Sequence, residues 1–394
     1  MRIASVTAFP VRIPRDHQAA QGSAGSPHRL TDGAGEYRWS AHYPALYSTQ
    51  FETCLVRVSL DNGLIGWGEA QAPLAPEVPA QIVQSLLSPA IVGEDFDIAT
   101  LWQRMYSTMR VRGQTGGFML DAIAGVDLAL WDIATQIEQK PLREILGYSQ
   151  PKSLVPAYVS GTPGRTLEDK LRFVQKYREA GFHIFKLYFE SDWDDLLAQI
   201  DAMQERFDDI EIAVDALWHL PSIDCAADLA ERRVLWLECP LPPEDLKGHV
   251  ELVNETGVRL ALGESYRTRY EAEPFFEKEI LSYWQPDLGR SGISETLVLA
   301  KMAKQAGIAI VPHVSIAMPP QLHAAIETAA AIPNATLCEF NPSVVEMANR
   351  YVLQPGFQLV EGAYLRSASS LGGASWDRLA ASLRINSGNG NAQV

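Results

Sequence analysis

Hydrophobic and polar positions divide this chain into stretches of different texture. Residues 51–60 (FETCLVRVSL) and 64–69 (LIGWGE) read as strands, and Asp61-Asn62-Gly63 between them is a hairpin turn signal. Over 117–138 apolar residues recur at helical spacing (Leu120, Ile123, Ala124, Leu128, Trp131), with Asp127 breaking the face. That pattern predicts an amphipathic or mostly buried helix. Residues 15–50 fit neither period. Rich in Gly, Ser, His and Asp, they predict a long loop that is either functional or disordered.

From about residue 154 a regular alternation sets in. Short apolar runs (VPAYVS, HIFKLYF, IEIAVDA, WLECP, RLALGE, SYWQPD, IAIVPH, ATLCEF) begin near residues 155, 183, 210, 236, 259, 282, 308 and 335. Helical stretches such as TLEDKLRFVQKYREAG and ISETLVLAKMAKQAG lie between them, several ending at Gly as a helix C-terminus should. Near-continuous apolar strands alternating with helices predict parallel β-structure covered on both faces. Eight such strands fit a closed barrel better than an open doubly wound sheet. No glycine-rich phosphate fingerprint follows the first strand, which weakens a dinucleotide-binding alternative. The expected organisation is a mixed α+β domain over 1–150 and an α/β barrel over 151–350. Beyond 350, two short apolar pieces are expected to fold back in part on the N-terminal domain, and the polar end SGNGNAQV to be disordered.

Composition narrows the class. The chain has 394 residues, 47% hydrophobic and 21% charged, enough to bury large cores in two domains. No apolar run approaches the roughly 18 residues of a membrane-spanning helix, and the N-terminus carries no secretory signal pattern. A net charge of −15 gives no electrostatic footprint for nucleic acid or an anionic membrane. The four cysteines (Cys54, Cys225, Cys239, Cys338) form no CxxC pair, so a reducing cytoplasm is the expected compartment.

In a β/α barrel, chemistry sits where each strand ends and its loop begins. The predicted strands end in Lys186 and Tyr188, then Asp215, Glu238, Glu264, Asp287, His313 and Glu339, and from Asp215 onward the intervals are 23, 26, 23, 26 and 26 residues. Any one of these acids could simply cap the following helix, and a lone His313 would more often be a core histidine. His183, His219, His249 and His323 take a core or surface reading. Capping does not explain the whole set. Lys186, inside an apolar strand, needs a carboxylate or a bound anion nearby. Asp215, Glu238 and Glu264 fall on adjacent strands, and three converging carboxylates call for a hard cation such as Mg2+. Cys239 should point away from that trio, which disfavours zinc. Asp287 and His313, also on adjacent strands, form an arrangement that fixes an imidazole tautomer and raises its basicity. Lys186 and Tyr188, two apart, both face the barrel interior. A cation flanked by these groups describes proton abstraction beside a carboxylate, with Glu339, if protonated, as a donor to the substrate.

The segments GLIGWGEA, GFHIFKLYF, WLECPLPPED, LALGES, WQPDLGRSGISE and VPHVSIAM together resemble the enolase superfamily, specifically its mandelate racemase-like subgroup. The resemblance implies an α+β capping domain over a (β/α)7β TIM-like barrel, with cap loops closing the site, and a homo-oligomer. It also implies Mg2+ on Asp215, Glu238 and Glu264, an Asp287–His313 dyad, and Glu339 near the enolate oxygen. The chain departs from the subgroup's Lys-x-Lys motif, having Lys186-Leu187-Tyr188, and has Leu217 where an Asn often follows the first metal ligand.

Dehydration of a sugar acid to a 2-keto-3-deoxy acid is the leading expectation, with His313 as base, and Lys186, Glu339 and the metal stabilising the enolate. His313 or Tyr188 then protonates the departing hydroxyl. Racemisation or epimerisation needs a second base, and a tyrosine titrating near ~10 serves poorly unless its pKa is lowered. A non-catalytic metal-binding barrel is the remaining alternative. Arg15, His17, His28, Arg29, Arg38, Trp39, His42, Tyr43 and Tyr47 in the 15–50 loop are the candidates for substrate contact.

Overall fold

The computed structural model describes residues 1–14, 35–40, 45–350 and 356–366. Its N-terminal part opens with β1 (Ile3–Pro14), followed by the short hairpin β2 (Tyr37–Trp39) and β3 (Leu46–Ser48), then β4 (Gln50–Leu60) and β5 (Ile65–Ala70). The strands β1, β4 and β5 form one antiparallel sheet in that order. Two helices, α1 (Ile98–Arg110) and α2 (Gly117–Glu138), pack with this sheet around a shared apolar core that includes Val56, Val58, Met105, Ile123 and Ala129. The hairpin β2–β3 falls inside the segment expected to be a loop. It is tied to the sheet by Tyr37, whose hydroxyl donates to Glu52 (3.0 Å) and accepts the Ala75 N–H (3.0 Å).

Eight parallel strands follow: β6 (Leu154–Ser160), β7 (Ile184–Tyr188), β8 (Glu211–Asp215), β9 (Leu237–Glu238), β10 (Leu260–Leu262), β11 (Leu281–Trp284), β12 (Ala309–Ile310) and β13 (Cys338–Phe340). Each pairs with the next as far as β12, and β13 pairs back onto β6. An isolated parallel bridge, Ile310 to Ala335, joins the last two and closes the barrel. The helices between them are α3 (Leu167–Glu179), α4 (Trp193–Arg206), α5 (Ile223–Glu231), α6 (Leu246–Thr256), α7 (Arg269–Phe276), α8 (Leu288–Gln305) and α9 (Pro319–Ala331), with α10 (Pro342–Asn349) after β13. Capping boxes at Thr166/Asp169 and Thr268/Glu271 fix the starts of α3 and α7.

Period-two alternation sorts the barrel strands. Phe185 and Leu187 of β7, with Ile212 and Val214 of β8, face the helices in the main core. Tyr158, Ala213, Trp236, Ala261, Tyr283 and Val311 fill the barrel interior, Trp236 meeting Tyr158 edge-on at 5.1 Å. This aromatic plug makes the barrel a packed scaffold with its polar groups at one rim. Residues 357–366, within the segment expected to return to the N-terminal domain, form the hairpin β14 (Phe357–Val360) and β15 (Ala363–Arg366). That hairpin pairs antiparallel with β6 of the barrel instead. The SGNGNAQV end lies outside the described residues.

The N-terminal part meets the barrel through a small apolar cluster, Val11, Ile13, Phe51, Leu55 and Trp67 against Met318. Buried carboxylates cross the same seam. Asp127 of α2 accepts the N–H groups of Ile293 (2.7 Å) and Ser294 (2.8 Å) and the Ser294 hydroxyl. These donors are free because α8 kinks at Gly292, whose φ of 69° interrupts the helix. Among the described residues no helix is long and apolar enough to cross a membrane.

Candidate active site

The strand-end residues singled out in the sequence gather at one rim of the barrel. Lys186 is 1% exposed, and its ammonium lies 2.5 Å from Glu238, 3.3 Å from Glu339 and 3.7 Å from Asp215. Burial alone would lower its pKa, but Glu238 and Glu339 outweigh it and hold the ammonium well above the usual lysine range. Lys186 is therefore charged and paired, as its place in an apolar strand requires.

Across the rim His313 is bonded on both ring nitrogens. Nδ1 lies 2.9 Å from Asp287 Oδ2 and Nε2 lies 2.9 Å from Glu264 Oε2. An isolated parallel bridge pairs the two backbones at Asp287 and His313. Against the cost of burial, Glu264 and Glu339 together with the Asp287 bond hold His313 well above its ordinary value. Reciprocally, against its own burial, His313 pulls Glu264 down to about 2. Asp287 is also the N-cap of α8, accepting the Gly289 N–H at 2.9 Å. Asp287 thus caps α8 with one oxygen and meets His313 with the other.

Asp215 and Glu238 face each other in register on β8 and β9, and Glu264 follows β10. Burial, followed by the charges of Glu238 and Glu264, raises Asp215 well above the usual carboxylate range. An all-oxygen donor set short of positive charge suits a hard divalent cation. As placed, the three carboxylates do not close into a ready cluster, and no group of three His, Cys, Asp or Glu does so among the described residues. Each acid takes another partner: Glu238 takes Lys186, Glu264 takes His313, and Asp215 accepts the Leu217 N–H at 2.9 Å. Cys239 packs in the main core, as its strand position predicted.

Two expected roles are changed by the surroundings. Glu339 is held below its ordinary range, since Lys186 and His313 outweigh its burial, so it stands here as an acceptor and not as a protonated donor. Its Oε2 accepts the Val314 N–H at 2.6 Å. Tyr188 is pushed further above the ordinary phenol value by burial, with Lys186 only partly offsetting that shift. Its hydroxyl shares a 2.7 Å hydrogen bond with Ser160.

Sequence reasoning missed several neighbours. Trp236 Nε1 (2.9 Å) and Gln285 Nε2 (2.6 Å) both donate to Glu238 Oε2, so Glu238 has no idle oxygen. A signal for them existed: each stands two residues before a strand-end acid and so faces the same side. Of the candidates in the 15–50 loop, Arg38, Trp39 and Tyr47 lie on the β2–β3 hairpin, with Trp39 56% exposed. Arg15, His17, His28, Arg29, His42 and Tyr43 lie outside the described residues. His183 is exposed beside Asp209, while His249 is buried with its Nδ1 2.7 Å from the Asp245 carbonyl.

Residues 170–372 match the family described as enolase C-terminal domain-like. Residues 39–147 match the mandelate racemase / muconate lactonizing enzyme N-terminal domain. A D-galactonate dehydratase of Verminephrobacter eiseniae is 32% identical over 278 residues, 66% of this chain and 70% of that protein. A D-galactarolactone cycloisomerase of Agrobacterium fabrum is 31% identical over 271 residues, with the same two coverages of 66% and 70%. Among solved structures, a member of the enolase superfamily from Agrobacterium tumefaciens superposes with a TM-score of 0.86 at 28% identity, covering 95% of this chain and 96% of that one. The chain belongs to the enolase superfamily, with the two-part architecture of its mandelate racemase-like members. It is an enzyme of that superfamily, built as an α+β cap on a TIM-like barrel.

Proposed function

We propose that this enzyme dehydrates a sugar acid, an aldonate or an aldarate, to a 2-keto-3-deoxy acid. The observation that carries the reading is the His313–Asp287 pair, 2.9 Å apart, set beside the carboxylates of the barrel rim. In the structure Nε2 is held by Glu264 at 2.9 Å; with Glu264 engaged in the metal set instead, His313 in its neutral form, its Nδ1–H donated to Asp287, would present Nε2 as the base that takes the C2 proton. The electrons of the C2–H bond pass through an enolate and expel the C3 hydroxyl. The imidazolium returns its proton to that hydroxyl, which leaves as water, and the enol product tautomerises to the keto acid. Lys186 is the ammonium placed to stabilise the developing negative charge, and Glu339 holds Lys186 from the other side. Asp215, Glu238 and Glu264 would hold Mg2+, which when bound supplies further positive charge to the enolate.

Tyr188 supports elimination over racemisation. A two-base racemase needs a second proton acceptor on the opposite face of the carbon, and the residue that would have to serve, Tyr188, is a half-buried phenol hydrogen-bonded to Ser160. The related galactarolactone cycloisomerase favours one second reading: the same proton removal from a lactone, with the ring oxygen leaving in place of the hydroxyl.

The test is a screen of Mg2+-loaded protein against aldonates, aldarates and their lactones, with keto acid trapped by semicarbazide. Keto acid formed from one or more open-chain acids is the expected result. Exchange of the α-proton in D2O without keto acid would replace dehydration by epimerisation. Consumption of lactones alone would select the second reading.

A further inference from the structure

The segment Glu69–Gln71, which ends β5 and enters the loop behind it, touches both barrel loops that carry the acid–base pair. Gln71 N–H donates to the Gly289 carbonyl (2.8 Å), two residues past Asp287, and its Nε2 reaches Ser315 Oγ (3.2 Å), two residues past His313. Glu69, fully buried, receives the N–H of Met318 on both oxygens (2.8 and 3.0 Å) and the N–H of Gln321 (3.2 Å). Met318 is the N-cap of α9, and no side chain of the helix's own segment caps it. The first turn begins Met318-Pro319-Pro320-Gln321, and proline has no N–H to leave unsatisfied. The two remaining free donors are therefore the two that Glu69 takes. Its carboxylate is held in turn by the Thr53 hydroxyl at 2.7 Å.

Gln321 carries this contact to the chemistry. Its Nε2 donates to Asp287 Oδ1 at 2.9 Å, and Asp287 Oδ2 meets His313 Nδ1 at 2.9 Å. The Gln321 amide lies against Gly289, where a Cβ would collide with Gln321 Oε1 and sit 3.0 Å from Gln71 Cβ. A side chain at residue 289 would push the amide off Asp287.

We propose that Glu69 and Gln321 are positioning residues that set the Asp287–His313 pair from the N-terminal part of the chain. Glu69 fixes the first turn of α9, the turn fixes the Gln321 amide, and the amide fixes the rotamer of Asp287. The pair is then aligned only when the cap is seated on the barrel. This inference rests on the reading of His313 as the base, and its test is built to be separable from that reading.

The experiment compares Glu69→Gln, Gln321→Leu and Trp131→Phe with wild type, all Mg2+-loaded. Trp131→Phe removes the Trp131–Ser294 hydrogen bond (2.9 Å), which joins α2 to α8 at the same seam. The first readout is the 15N-edited NMR signal of His313 Nδ1–H, taken without substrate. Glu69→Gln and Gln321→Leu are expected to shift or broaden it, and Trp131→Phe to leave it in place while lowering the melting temperature. The second readout is kcat and KM on the acid turned over fastest in the screen. Both positioning variants should lose roughly 10–100-fold in kcat, as removal of an outer-shell partner typically does, with KM within about threefold. An unchanged His313 signal in Gln321→Leu would overturn the proposal, and should Glu69→Gln fail to fold, that variant still decides it. A shifted signal in a protein whose activity survives His313→Asn would keep the relay and refute His313 as base.

Discussion

At the residue scale the site is a contest among buried charges. Lys186 and His313 are its two cations, and five carboxylates share them. Tyr188 lies two residues past Lys186 on β7, and burial keeps it a phenol, with Lys186 and the Ser160 bond only partly offsetting that shift. Tyr188→Phe should therefore keep dehydration within about tenfold of wild type, below the usual worth of a general base. A loss of about a thousandfold on the screened acid, measured as kcat, would make the phenol a participant. Most of this candidate site was legible in the sequence, because the barrel repeat brings an ionisable group to the end of each strand from β7 to β13. Ser160 and Gln321 were not, since an uncharged residue gives no electrostatic alarm, and Trp236 and Gln285 were marked only by standing two residues before a strand-end acid. The ionisation of Glu339 was also out of reach, depending on distances to Lys186 and His313 that strand order alone does not supply.

At the element scale α2 is the informative case. Its extent, Gly117–Glu138, matches the helical spacing in the sequence, and Asp127 was visible there as a break in the apolar face. The reason for the break was not visible, because it lies on α8, 166 residues away. Asp127 caps the second half of a helix that its own sequence interrupts at Gly292. Asp127→Ala removes the acceptor for two buried N–H groups and a hydroxyl, and should cost about 2–4 kcal/mol by urea denaturation. A cost below about 0.5 kcal/mol would mean that α8 finds other partners. The β2–β3 hairpin was misread as loop for a related reason. Its anchor, Tyr37 on Glu52, is a tertiary contact, and three-residue strands carry too little alternation to be read locally.

At the scale of the whole molecule the seam between cap and barrel couples stability to pH. Burial, the largest cause, pushes Glu69 up to about 7 despite its bonds from Met318 and Thr53, with Asp287 adding to the rise. Asp127 rises to about 6 by burial despite its bonds from Ser294 and Ile293. A carboxyl whose folded pKa lies above its unfolded value binds more protons when folded. Its contribution is whole below the unfolded pKa and is lost as pH rises through about 6 for Asp127 and about 7 for Glu69. Between pH 5 and 8, the unfolding free energy of wild type should fall more steeply than that of Glu69→Gln or Asp127→Asn, by about 1–3 kcal/mol in each case. Equal slopes would show that these carboxyls titrate as exposed ones do. The barrel itself was legible from the spacing of apolar runs, with every strand found. The seam was not, because it joins residues some 250 positions apart, as in Glu69 with Gln321.

The proposed chemistry turns on His313, set by Asp287, removing the α-proton. The most direct measurement is the turnover of His313→Asn, Mg2+-loaded, on the best acid from the screen, with α-proton exchange followed in D2O. With His313 as the base, kcat should fall by about 10²–10⁴-fold, with exchange lost alongside it and the fold retained by circular dichroism. Turnover and exchange near the wild-type rates would contradict that role.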